Sequence, residues 1–288
     1  MRVLVTGAAG QVGRLLLETR PGDVEVIAAA RSDLDIRDAT AVRERMLRDR
    51  PDVIINAAAY TAVDQAESDP QAARAINAEA PAVLATAARQ VAARLIHLST
   101  DFVFDGRAST PYVPDAPTNP LNVYGRTKRD GEEAVLRGLG SDAVILRTAW
   151  VYCAHAGNFM HTMLRLLRTR GEVGVVADQV GTPTSARSVA QVLWQIARRG
   201  EIQGIHHWTD AGVASWYDFA MAIAEEAVAL GMLPSTVTVT PIATEEYPTA
   251  ARRPAYSVLD KRALSAYGLI PRHWRQCLRE VLKELPHG

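Results

Sequence analysis

Cysteine is scarce in this 288-residue chain: there are two, Cys153 and Cys277, far apart. They make no CxxC pair and no framework of spaced bridges, so a disulfide scaffold is excluded and a reducing compartment is expected. Net charge is missing too. The 32 basic and 32 acidic residues cancel, so bulk electrostatics gives no pull toward nucleic acid or an anionic membrane. Neither is expected as a partner. The local basic clusters "RQVAAR" and "ARRG" read as solvated helix faces. No stretch approaches the roughly 20 apolar residues needed to span a bilayer. The opening "MRVLVTGAAGQVG" is cut by Thr6 and Gly7 and followed by Arg14, which is not the pattern of a signal peptide. A cytoplasmic protein is the expectation. The seven histidines include no HExxH pair, so no metal site is expected. A GxSxG elbow and a GxxxxGK[ST] loop are absent as well, which argues against a hydrolase and a P-loop NTPase.

What is present is the composition of a folded globule: 48% apolar and 22% charged residues. The first half alternates short apolar runs with helical patterns. "VLVTG", "VEVIAAA", "DVIINAA", "RLIHLST" and "AVILRTAW" read as strands. "QVGRLLLE", "ATAVRERMLRD", a stretch from about Gln71 to Gln90, and a segment opening at Tyr124 read as helices. That order predicts βαβ units closing into a parallel sheet. The expected fold is α/β, a Rossmann-type doubly wound parallel sheet with a smaller C-terminal α/β substrate lobe. The core is placed at 1–150, with later segments returning to it, and the lobe mainly at 151–288. In the second half, Ser215 is a plausible cap for "WYDFAMAIAEEAVALG", which Gly231 closes. "SVAQVLWQIARRG" and "CLREVLKEL" read as helices, and "TVTVTPI" as a short strand. His206 and His207, adjacent in an apparent strand, are expected on opposite faces. Trp194 and Trp208 read as core, and Trp216 as core or a flank of the substrate lobe.

The chemistry concentrates in three places. "TGAAGQVG" sets Gly7, Gly10 and Gly13 between a strand and a helix, as a dinucleotide fingerprint requires: glycines let the backbone turn tightly and approach a pyrophosphate, which meets the helix N-terminus. At the end of the second strand, Arg31 favours a 2′-phosphate and hence NADPH, while Asp33 nearby suits a ribose hydroxyl. NADPH is the expected cofactor, with NADH accepted as well. The second place is "LSTDFVFDG", where Ser99 and Thr100 close the fourth strand, on the side where parallel sheets gather chemistry. The third is "NVYGRTK", which puts Tyr124 and Lys128 four apart on one helix face. A free tyrosine, with a pKa of about 10, is a poor acid–base group at neutral pH. A nearby ammonium is expected to favour the phenolate and make the proton usable.

Together these segments resemble the extended short-chain dehydrogenase/reductases. Within them the chain resembles the dTDP-4-dehydrorhamnose reductases almost end to end, through "INAAAYTAVDQAESDP", "HLSTDFVFDG", "PLNVYGRTK", "ILRTAWVY", "GNFMHTMLRL", "DQVGTPTSA", "SWYDFA" and "YPTAARRPAYSVLD". The resemblance implies Tyr124 as general acid, Lys128 as its partner and a holder of the nicotinamide ribose, and Thr100 as the hydroxyl that polarises the keto group. It implies cofactor contacts at Gly7, Gly10, Gln11, Val12, Gly13, Arg31, Asp35, Ile36, Ala57, Ala58, Ala59 and Ser99. On the substrate side it implies Thr100, Asp101, Trp150, Asn158, Gln179 and Arg253, whose guanidinium suits a diphosphate. The implied reaction is reduction of the C4 ketone of dTDP-4-dehydro-β-L-rhamnose to dTDP-β-L-rhamnose. Two other readings stay open: a reductase for another dTDP-4-keto-6-deoxysugar, and a non-catalytic NADP-binding regulatory subunit. The loop "WVYCAHAGNF" departs from the family by placing Cys153 where glycine is common. Some members form a metal-bridged dimer through glutamates in the first helix and after "DQxGxPT", regions that here read "GRLLLE" and "TSARSVA", with Leu15 and Ala186 nearby. No metal is therefore expected, and a homodimer stays open.

Overall fold

The computed structural model describes residues 1–285. Six parallel strands form the central sheet: β1 (Arg2–Thr6), β2 (Glu25–Ala29), β3 (Val53–Asn56), β4 (Arg94–Thr100), β5 (Ala143–Thr148) and, from far along the chain, Gly204–His207. Their spatial order is β2-β1-β3-β4-β5 and then Gly204–His207. β3, β5 and most of β1 and β4 are buried throughout, as expected of strands covered on both faces.

One layer contains α2 (Ala39–Asp49), the run 70–90, and α6 (Val123–Leu139). That run is interrupted where the sequence pattern predicted one helix. It comprises α4 (Pro70–Arg74), a π turn at Ala75–Glu79, and α5 (Ala80–Gln90), after a separate α3 (Val63–Ser68). Asn77 lies in the π turn, and its amide exchanges hydrogen bonds with both backbone groups of Tyr60, at 2.9 and 3.0 Å. The other layer pairs α1 (Gln11–Glu18) with α8 (Ala186–Ala197), whose Trp194 indole donates to the Leu16 carbonyl at 3.2 Å. Trp194 and Trp208 are buried core residues.

Short strands β6 (Val151–Tyr152), β8 (Val180–Gly181) and β9 (Thr184–Ser185) line the passage to the lobe. The lobe holds α7 (Phe159–Arg170), β7 (Glu172–Val176), β11 (Ala214–Ser215), α9 (Trp216–Ala229), β12 (Thr238–Ile242) and α11 (Trp274–Lys283). α10 (Arg262–Ser265) packs back toward Gly204–His207, which is β10. Ser215 caps α9 in a full capping box with Asp218. In β10 the histidines do diverge: His206 meets the Gln203 carbonyl, His207 that of Tyr112.

Strand order reverses between β1 and β3, and ligands in open α/β sheets bind beyond the strand ends at such a point. Gly7 follows β1 there with φ +69°, and a Cβ on it would lie 2.6 Å from the Ala58 nitrogen. No other residue type lets these two chain segments cross so closely.

Candidate active site

A cleft of about 760 Å³ opens beyond the strand ends. Gly10, Gln11 and Val12 enter it from the N-terminus of α1. Ala57 and Ala59 come from the end of β3, Ser99, Thr100 and Asp101 from the end of β4, and Tyr124 and Lys128 from α6. Trp150, Asn158 and Arg253 close the lobe side. A second cleft of about 540 Å³, between α8 and α11, holds none of these groups.

Asn122 caps α6 by accepting from the Gly125 amide at 2.8 Å, while its own amide donates to the Arg252 carbonyl at 2.8 Å. One side chain thus starts the helix that carries Tyr124 and Lys128 and ties it to the segment that carries Arg253. Tyr124 stands edge-on to Phe102, with ring centroids 5.8 Å apart. Burial pushes its phenol up to about 12, against the opposing effect of the Thr100 hydroxyl, and the Asp101 carboxylate pushes the same way as burial.

The Lys128 nitrogen does not turn to the Tyr124 phenol in this structure. The lysine nitrogen donates to the Leu98 carbonyl at 2.6 Å and stands 3.4 Å from His97 Nε2. Burial lowers Lys128 to about 8, with Glu132 opposing. Desolvation is the leading influence on both groups. Tyr124 remains a protonated acid across the neutral range.

Thr100 donates to Asp101 Oδ1 at 3.0 Å and accepts from the Phe102 amide at 3.2 Å. Asp101 is buried, and that burial raises its carboxyl to about 6, with hydroxyls of Ser257 and Thr100 opposing. Its second oxygen, like the hydroxyls of Ser99 and Thr148, has no partner within the protein. Unpartnered polar atoms at a cleft wall suit a polar ligand.

Trp150 has φ +46°, unusual for so bulky a residue. Its ring stacks on Trp216 at 3.5 Å between centroids and 6° between planes. Gly181 lies against the same ring, and an added Cβ there would lie 2.7 Å from the indole. The glycine of "DQVGTPT" therefore leaves room for the Trp150 ring. Arg253 makes a two-pronged contact with Asp64 at 3.1 and 2.7 Å, and Asp64 also accepts from the Ala251 amide at 3.0 Å.

Gln179 lies in an adjoining cavity of about 770 Å³, shared with Arg253 and Trp216, and donates to Thr244. Asn158 faces the cleft, but its amide nitrogen is within bonding distance of Gln11 Oε1 and of the Cys153 and Ala156 carbonyls. Its oxygen caps α7. It shapes the loop as much as it lines the cleft. Ala58 sits beneath Gly7 with its amide bonded to Asn56. Gly13 packs against the Gly7 carbonyl and Ala8. Arg31 is exposed just past β2, and Asp33 is spent on the Ala30 amide at 2.9 Å. Asp35 pairs with Arg37, whose guanidinium holds its carboxyl at about 2, and Ile36 is buried. Asp64, Phe102, Thr148, Phe159 and Trp216 also line the cleft. Of these only Trp216 stood out in the sequence, as an aromatic beside the lobe. Asp64 was hidden inside "NAAAYTAVDQAE".

The cleft's glycine loop, small alanines and open helix N-terminus fit a dinucleotide. Among the described residues, no group of three or more His, Cys, Asp or Glu side chains could hold a metal. Arg187 instead sits between Glu18 at 3.4 Å and Glu284 at 2.9 Å. Cys153 and Cys277 are both free and buried, and burial raises both thiols. No helix among the described residues is long and apolar enough to cross a membrane.

Residues 1–286 match the family described as RmlD substrate binding domain. A dTDP-4-dehydrorhamnose reductase of Aggregatibacter actinomycetemcomitans is 44% identical over 288 residues, covering 97% of this chain and 98% of the relative. A dTDP-4-keto-6-deoxy-D-glucose reductase of Streptomyces niveus is 43% identical, covering 97% and 96%. Among solved structures, the dTDP-4-dehydrorhamnose reductase of Bacillus anthracis in complex with NADP superposes with a TM-score of 0.92 at 35% identity, covering 98% and 99%.

Proposed function

The chain belongs to the RmlD substrate binding domain family, and on that premise we propose that it reduces the C4 ketone of dTDP-4-dehydro-β-L-rhamnose to the alcohol, with NADPH as hydride source and NADH as a substitute. The observation that carries this reading is the convergence of Thr100, Tyr124 and Lys128 with the glycine loop in one cleft. The bound nicotinamide supplies the hydride. Everything else falls to the chain's own residues.

Tyr124, held protonated by burial, donates its proton to the keto oxygen as charge develops there. Thr100 braces the same oxygen, which requires its hydrogen to turn from Asp101 toward the substrate. Lys128, as an ammonium, offsets the charge of the phenolate that remains. Gly10, Gln11 and Val12 offer the α1 N-terminus to phosphates. Arg31 accepts a 2′-phosphate. Arg253 exchanges Asp64 for the sugar diphosphate, and the Trp150–Trp216 stack forms the wall against the sugar.

The test is the loss of NADPH absorbance with dTDP-4-dehydrorhamnose. Tyr124→Phe should bind NADPH normally and lose roughly 10²- to 10⁴-fold in kcat. Near-normal turnover by that variant sinks the assignment. A different dTDP-4-keto-6-deoxysugar is a second reading, favoured by the Streptomyces niveus relative and by the Cys153 loop. Running such sugars in the same assay separates the two.

A further inference from the structure

A line of fully buried polar side chains runs across the sheet beneath the cleft. Thr6 on β1, Asn56 on β3 and His97 on β4 are register partners in neighbouring parallel strands, and each has no solvent exposure. Thr6 donates to Asn56 Oδ1 at 2.6 Å, Asn56 Nδ2 stands 2.9 Å from His97 Nδ1, and His97 Nε2 stands 3.4 Å from the Lys128 nitrogen. Polar groups placed this deep need partners, and the partners here form a single file ending at the lysine of the cleft.

The direction of that file is fixed at one point. The Ala58 backbone N–H donates to Asn56 Oδ1 at 3.2 Å. A backbone amide can only donate, so the Asn56 atom it meets is the oxygen, and the atom turned to His97 is the NH₂ group. His97 Nδ1 must then accept and carries no proton. Burial, and then the charge of Lys128, push His97 well below its ordinary value, so the ring is neutral and its single hydrogen sits on Nε2. That N–H points at the lysine nitrogen. Facing an ammonium it opposes donor to donor, whereas facing a neutral amine it finds a lone pair.

We propose that His97 is a positioning residue for Lys128: an Nε2-protonated imidazole, its tautomer dictated from the neighbouring strand by Asn56 and Ala58, that presents an N–H to the lysine nitrogen and so favours the neutral amine. The other groups around the lysine are few. On α6, Tyr124 lies one turn before it and Glu132 one turn after. Glu132 is held by Arg147 of β5 through two bonds of 2.9 and 2.7 Å. α5, packed along α6, buries only Ala80, Pro81, Leu84, Ala85, Ala87 and Ala88. Asp101 of the turn after β4 and Glu67 of α3 also stand on elements packed against α6; His97 is the neighbour whose ring nitrogen stands 3.4 Å from the lysine nitrogen.

The consequence for catalysis rests on the reductase reading, but the tautomer does not. With ¹⁵N-histidine incorporated into the full chain, long-range ¹H–¹⁵N spectra report which ring nitrogen carries the proton. The His97 signal is assigned by its disappearance in His97→Gln. We expect a neutral Nε2–H ring that does not titrate between pH 6 and 9. An Nδ1–H ring, or titration near the ordinary histidine value, overturns the proposal whether or not the protein is a reductase. In His97→Gln the side-chain carbonyl can turn toward the ammonium. The alkaline midpoint of kcat/KM should then move up by about one pH unit, a tenfold gain in proton affinity at Lys128. A midpoint that stays put, or moves down, shows that His97 only fills space.

Discussion

Two arginine–carboxylate pairs share the same two-pronged chemistry and differ in where they stand. Arg147 and Glu132 meet beneath the sheet end with side chains only 3% exposed. Arg147 also donates to the Pro114 carbonyl at 3.0 Å and lies over the Phe104 ring at 5.1 Å. Beside it burial, and then Arg147, keep His207 neutral, lowered to about 3. Arg253 and Asp64 meet at the cleft rim with 23% and 46% of their side chains exposed. A buried pair whose donors and acceptors are all engaged cannot give up a partner without stranding a charge. A rim pair can exchange its carboxylate for a ligand phosphate, because water shares the cost. The first pair braces the sheet, and the second is the one that the proposed function opens to a substrate.

The largest break in that contrast comes from the buried pair. Glu132→Gln leaves Arg147 without its counter-charge and should cost ~3–5 kcal/mol in denaturant unfolding. A loss under 1 kcal/mol contradicts the description of the pair as closed to water.

Asp101 sharpens the comparison as a buried carboxylate with no arginine at all. Its folded pKa, about 6, lies above the ordinary 3.8, so the folded chain binds the extra proton between those values. Its ionisation therefore costs nothing below pH 3.8. The penalty accrues as pH rises through the window and is complete above about pH 6, at about 3 kcal/mol. Asp101→Asn should lose activity yet be more stable than the parent at pH 7–8, with the gain vanishing near pH 4. Parallel pH–stability curves for the two proteins contradict this.

Smallest in stability is the rim pair. Arg253→Ala should shift unfolding by only ~0–1 kcal/mol, while the KM for the dTDP-sugar rises about tenfold or more and the KM for NADPH holds. A change confined to stability would return Arg253 to a purely structural role.

Much of this was legible beforehand. The strand–glycine–helix opening, the Ser/Thr end of β4 and the Tyr124–Lys128 spacing are local patterns, and local geometry follows from them. What stayed hidden depends on partners far apart in the chain. Nothing in "YPTAARRP" says that Arg253 finds Asp64. Nothing in "AVILRTAW" says that the strand stops at Thr148 and that Trp150 turns left-handed. There Trp216 stacks on the indole, and only a glycine at position 181 leaves room for it. The break of the 70–90 run into a π turn was equally hidden, since its pattern is helical throughout.

By itself the sequence determined the order of strands and helices, the dinucleotide loop and the two hydroxyl-bearing positions of the cleft, because periodicity and turn chemistry act over a few residues. Only the tertiary structure decided the protonation landscape. The Lys128 nitrogen turns to Leu98 and His97 rather than to Tyr124, and burial, not the lysine's charge, sets the tyrosine. Desolvation is a property of the assembled core, and no spacing along the chain encodes it.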